Sequence, residues 1–245
     1  MTGIVLPEND RVAEFAAEVE EGVESWDDVA AGPVRLRIDE PLTSWGLSLD
    51  TPAARIALEL RALTGPADLA QPATAAIGRG AGLHRYTQLC EARGSVEAGG
   101  RARDIEGIAL RTHRWGPVPD AGRARFVTAA SADGTLLTVA ALRPRTEAHG
   151  EELIGGQTLR AQEEQDLEPL PFETVRLSTV FDEQGLPVSA GAELFRPGDE
   201  LPSRLAGAAV AGIPGAADGG GSLTLFRFGL DGVPALGSYE IEAGS

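Results

Sequence analysis

The chain has 245 residues, 42% of them hydrophobic, and a net charge of −16. That much apolar content excludes a disordered acidic chain and allows one large β domain or two small ones. The acidic balance excludes nucleic acid as a partner, because phosphates demand a basic surface.

All 21 basic residues are arginine. Schiff-base chemistry, a phosphate-loop lysine and a serine–lysine dyad are therefore ruled out. Cys90 is the only cysteine, so no internal disulfide can form and a reducing cytoplasm is the expected compartment. No apolar run approaches the roughly 20 residues that span a bilayer, so no membrane span is expected. The start, MTGIVLPENDRVAEF, has neither a basic n-region nor an apolar h-region, and no signal peptide is expected. Residues 1–30 hold nine acids and one arginine, residues 31–150 fifteen arginines and twelve acids, and residues 151–245 sixteen acids and five arginines. A middle section of opposite sign fits sections that face one another, and it fits unrelated solvated faces equally well.

In chain order, PENDRVAEFAAEVEEGVESW predicts an amphipathic helix over 9–26, with Val12, Phe15, Ala16, Val19, Val23 and Trp26 at 3.6-residue spacing. Gly32–Pro33 stops it. From Val34 the period becomes two. VRLRIDE alternates, SWGLSLD follows the Pro41 break, and TPAARIALELRALTG reads as a strand on the alternation of Ile56, Leu58, Leu60 and Ala62. Residues 64–83, rich in small side chains, read as a long loop. YTQLCEARGSVEA and RARDIEGIALRTHRW form two long strands joined at Gly99–Gly100. ARFVTAAS and TLLTVAALRP flank a hairpin signal at Asp133–Gly134. After the loop PRTEAHGEE come LIGGQTLR, an acidic bridge, and a hairpin turning at 183–185. Residues 214–222 form a loop, and the chain closes on a hairpin at Asp231–Gly232. Short strands separated by turn residues predict an all-β sandwich or pair of barrels. The cluster Gly116, Pro117, Pro119 and Gly122 marks a division into an N-terminal segment 1–30, a half over 31–117 and a half over 118–245.

Several motifs fail. GRGAGL at 78–83 is G-x-G-x-G without a preceding strand, so it is no dinucleotide loop. GGGS at 219–222 lacks the lysine of a phosphate loop, and no G-x-S-x-G is present. His84, His113 and His149 share no metal-ligand spacing, so neither a metal nor a cofactor is expected. Mid-strand Cys90 reads as a buried, inert thiol.

The stretch HRYTQLCEARGSVEAGGRARDIEGIALRTHRWGP resembles the double-lipocalin proteins related to carotenoid hydratase, a group that includes lipocalin-like cyclases of natural-product pathways. Its carriers are Tyr86-Thr87-Gln88 and Arg111-Thr112-His113-Arg114-Trp115-Gly116. The runs FETVRLSTVFDEQGLPVSAGAELF and FRFGLDGVPALGSYEIE resemble that family's closing strands, and the likeness covers about residues 34–245. It implies an all-β fold of two lipocalin-like (calycin) barrel halves packed together, here with a short N-terminal helix and a reduced first half. Where the family tends to carry acids, this chain has Thr87 and Thr112. Hydration of an unactivated alkene needs a strong general acid, so the loss weighs against hydratase chemistry.

In a strand, Arg111, His113 and Trp115 share one face, and Thr112 and Arg114 the other. The first face suits a ligand site, with His113 as acid–base group, Arg111 as partner of an oxyanion and Trp115 as stacking wall. Tyr86 and Gln88 add donors, Glu91 is the nearest acid, and Trp45 is a further candidate for substrate contact. The alternative is an Arg111 ion pair and a His113 that merely caps a turn. The reading that follows is a cofactor-independent cyclase or isomerase of a hydrophobic, unsaturated polyketide or terpenoid intermediate. A carrier or accessory protein for a lipophilic ligand is the alternative, and a hydratase of an isoprenoid double bond a further one. The expected partner is a hydrophobic small molecule, with a homodimer left open.

Overall fold

The structure, a computed structural model, describes residues 2–5, 13–16, 28–115, 122–131, 133–143, 152–161, 169–214 and 221–243. In chain order the first elements are β1 (Thr2–Val5), β2 (Ala13–Ala16), β3 (Asp28–Ala31), β4 (Val34–Glu40), β5 (Ser44–Asp50), β6 (Ala54–Ala62), β7 (Ala67–Asp68), α1 (Ala75–Ala81), β8 (His84–Ala98) and β9 (Arg101–Trp115). There follow β10 (Arg123–Ser131), β11 (Thr135–Arg143), β12 (Leu153–Arg160), β13 (Leu170–Pro171), β14 (Thr174–Phe181), β15 (Pro187–Phe195), β16 (Ser203–Pro214), β17 (Ser222–Leu230) and β18 (Val233–Ala243). The chain forms two compact units, Met1–Leu63 with Cys90–Ala109, and Thr64–Leu89 with Leu110–Ser245. Each unit draws on two chain segments, so this division and the one at residues 116–122 cut the chain differently.

In the first unit, β3 to β6 run as an antiparallel meander, and β6 then pairs with the second part of β8, from Ala54 opposite Ala98 to Ala62 opposite Cys90. Period-two alternation turns Trp45, Leu60, Ala62, Cys90 and Ala92 into one core. The β8–β9 turn is Gly99–Gly100, with φ of 59° and 76°, which glycine adopts without strain and which matches the strand twist of a two-residue hairpin. The helix expected over 9–26 meets a strand instead: Ala13–Ala16 pairs antiparallel with Thr2–Val5. Four residues are too few for periodicity to separate the two conformations. The rest of that stretch lies outside the described residues.

In the second unit, nine antiparallel strands follow the order β13-β12-β11-β10-β18-β17-β16-β15-β14. One face gathers Val127, Leu137, Val139, Leu194, Leu205, Phe226, Phe228, Tyr239 and Ile241 into the main core. The opposite face of β10 and β11 presents Ala124, Phe126, Ala140 and Leu142 to Leu69, Ile77, Ala81 and Leu83. The loop expected over 64–83 is therefore partly ordered as β7 and α1. Its alanines favour helix, and Gly82 closes the helix at φ 62°. The first part of β8 pairs with β7, Tyr86 opposite Asp68 and Thr87 opposite Ala67. Arginines of the middle section meet acids of the C-terminal section inside this unit, as Arg85–Glu240, Arg114–Glu242 and Arg125–Glu152. Among the described residues, no helix is long and apolar enough to cross a membrane.

Candidate functional site

Strands β8 and β9 bring their first and last residues together in the second unit. His84 and Tyr86 stand on one face of β8, with Arg111, His113 and Trp115 on the matching face of β9. Arg111 Nη1 donates to the Tyr86 hydroxyl at 2.6 Å, and the guanidinium lies 5.3 Å from the centre of the Tyr86 ring. The His84 and Trp115 rings stack with centroids 5.2 Å apart and planes 8° from parallel. His113 lies 5.1 Å from Trp115 and 5.5 Å from Tyr86, and Trp115 meets Tyr86 edge-on at 6.0 Å. These are the separations at which aromatic pairs attract. Trp115 stays 43% exposed, so the cluster is half-open to solvent.

Burial and the neighbouring Arg111 charge both hold the His113 imidazole below its ordinary value of 6.5. The ring is therefore neutral at pH 7, able to accept a proton at one nitrogen and donate from the other. The Arg111 guanidinium beside it is a planar fork of N–H donors, a geometry that can meet an oxyanion.

The reverse face of the same strands is paired, buried on β8 at Arg85 and Thr87 and exposed on β9 at Thr112 and Arg114. Arg85 forms a two-pronged ion pair with Glu240 at 2.6 and 2.7 Å and lies 4.6 Å from the Phe126 ring centre. Arg114 pairs with Glu242. Thr87 and Thr112, at the positions where the resemblance expects acids, hydrogen-bond to one another at 3.1 Å. Thr87 and Arg85 also line a cavity of about 20 Å³ together with Asp68, Thr74, Thr128 and Gln157. That volume is on the scale of one water molecule and cannot admit a substrate.

Of the residues the sequence nominated, Arg111, His113, Trp115 and Tyr86 meet in the ring cluster. Gln88 is 1% exposed, and its amide nitrogen donates to the Thr64 carbonyl at 3.2 Å. Glu91 and Trp45 belong to the first unit. Glu91 pairs with Arg93 at 2.7 Å, and Trp45, 1% exposed, sits in that unit's core. His84, which shares no metal-ligand spacing with the other histidines, joins the cluster through its stack with Trp115. Its place two residues before Tyr86, on the same strand face, was the signal for a role in the cluster.

The profile of a family described as a domain of unknown function, DUF7064, matches residues 1–227. The chain belongs to the DUF7064 family. No curated protein matches this DUF7064 chain in sequence. Solved structures do match it in fold. Kievitone hydratase from Nectria haematococca aligns over 96% of this chain and 76% of its own, at 10% identity and a TM-score of 0.61. An AttH-like protein of Nitrosomonas europaea aligns over 89% and 69%, at 13% identity and a TM-score of 0.59. CghA in complex with Sch210972 aligns over 96% and 76%, at 14% identity and a TM-score of 0.56. The fold of this DUF7064 protein is thus the double-lipocalin fold that its strands resemble, all-β in both units.

Proposed function

We propose that the protein is a cofactor-independent cyclase or isomerase of a hydrophobic, unsaturated small molecule, a polyketide or terpenoid intermediate. The observation that carries this reading is the ring cluster: one guanidinium, one phenol and two imidazoles arrayed around the half-exposed indole of Trp115. A conjugated ligand lies against Trp115, its carbonyl or enol oxygen accepts from Arg111, and neutral His113 moves a proton along the conjugated system. Bond reorganisation of that kind needs no strong acid, which fits threonines at 87 and 112. The neighbours support small-molecule chemistry on such a scaffold, one being named a hydratase and another solved with Sch210972. The single cysteine supports a cytoplasmic home, and the net negative charge supports a partner other than nucleic acid.

A second reading, a carrier of the same ligand class, is favoured by the Thr87–Thr112 hydrogen bond, which occupies both expected acid positions with neutral groups. One experiment separates the readings. A lipophilic extract of the host cells is incubated with the wild type, His113→Ala and Arg111→Ala, and compounds are followed by mass. An isomerase or cyclase consumes one compound and yields another of identical mass, and both variants lose this conversion while remaining folded. A product heavier by one water identifies a hydratase. Retention without conversion identifies a carrier.

A further inference from the structure

The side chains behind the ring cluster alternate with those in it. Arg85 stands between His84 and Tyr86 on β8, and Arg114 between His113 and Trp115 on β9. Both reach the same strand. Arg85 meets Glu240 and Arg114 meets Glu242, two residues apart on one face of β18. Tyr239 and Ile241, which alternate with them, point to the opposite face and are buried in the main core, at 0% and 5% exposure. The Arg85 side chain is 6% exposed and that of Glu242 12%. The Ser238 hydroxyl adds a third hydrogen bond to Glu240 at 3.3 Å.

We infer that Glu240 and Glu242 are positioning residues, which act through Arg85 and Arg114 to fix the two strands that carry the ring cluster. This rests on the cluster being the site proposed above. Its physical logic is that strand-borne rings hold their mutual angles only if the backbone beneath them cannot slide or twist, and a buried, two-pronged guanidinium–carboxylate pair resists both. Strand β18 is itself held between β10 and β17 along its length, from Arg123 opposite Ala243 and from Leu230 opposite Val233. It is therefore the rigid reference to which β8 and β9 are registered.

The test reads the cluster without any ligand, so it stands or falls separately from the proposed reaction. The near-ultraviolet circular dichroism of the wild type minus that of Trp115→Phe isolates the asymmetric environment of Trp115 among the three tryptophans. The expected result is that Glu242→Gln and Glu240→Gln each reduce this band about twofold or more while far-ultraviolet spectra stay unchanged. Arg114 is 40% exposed, so Arg114→Gln supplies a milder version of the same lesion if the Glu240 variant does not fold. The exchange of Arg114→Glu with Glu242→Arg restores the band. An unchanged band in folded Glu242→Gln and Arg114→Gln, or an exchange that restores nothing, overturns the inference.

Discussion

His113 owes its ionisation to its surroundings, above all burial, with the Arg111 charge adding to it. Because its folded value lies below the ordinary one, the ring's neutral form persists to lower pH than in an unfolded chain. The stability it contributes is present above about 6.5 and is lost as pH falls through the lowered folded value. Arg111→Gln removes the repulsion from a positive neighbour, so the His113 value rises toward 6.5. Titration of the imidazole Hε1 resonance by NMR checks this, with His113→Ala assigning the signal. A value that stays put or falls contradicts the assignment of Arg111 as the local charge. Nominating Arg111, His113, Trp115 and Tyr86 required only strand parity and a family likeness. Parity, however, cannot say which chain segments share a compact unit. For that reason Glu91, one residue past the point where β8 passes between units, and Trp45, a core residue, carried no mark in the sequence separating them from the cluster.

At the scale of elements, the hairpins were legible because turn chemistry is local. Gly99–Gly100 and Asp231–Gly232 both have positive φ at their two central positions, as two-residue turns require. The helix α1 was not legible, because its seven residues sit among glycines and prolines and depend on tertiary burial of Ile77, Ala81 and Leu83. Its placement against β12 hangs on Gly155. A Cβ there would lie 2.0 Å from the Ala73 carbonyl oxygen, just ahead of the helix. Gly155→Ala is accordingly expected to destabilise the protein by about 1–3 kcal/mol, as overpacking does. Urea unfolding measures this, and an unchanged midpoint would show that the approach of Ala73 is easily relieved.

Over the whole molecule, the alternation of charge along the sequence resolves into specific pairs. Arg85, Arg114 and Arg125 of the basic middle section meet Glu240, Glu242 and Glu152 of the acidic C-terminal section within one unit. Glu240 illustrates the balance. Burial pushes its carboxyl up, but the charge and hydrogen bonds of Arg85 outweigh that and hold it below the ordinary carboxylate value. Composition fitted facing sections and unrelated solvated faces equally well and could not say which side chains meet, since that depends on the sheet order. The same limit applies to chemistry. The fold tolerates many activities, so the function rests on the ring cluster alone. Native mass spectrometry of the protein freshly purified from its host tests that claim most directly, with Trp115→Ala and Arg111→Ala prepared in parallel. The predicted result is a bound small molecule with a conjugated chromophore in the wild type, depleted in both variants. A wild type that carries no ligand, or variants that retain it in full, would contradict the assignment of the cluster as the ligand site.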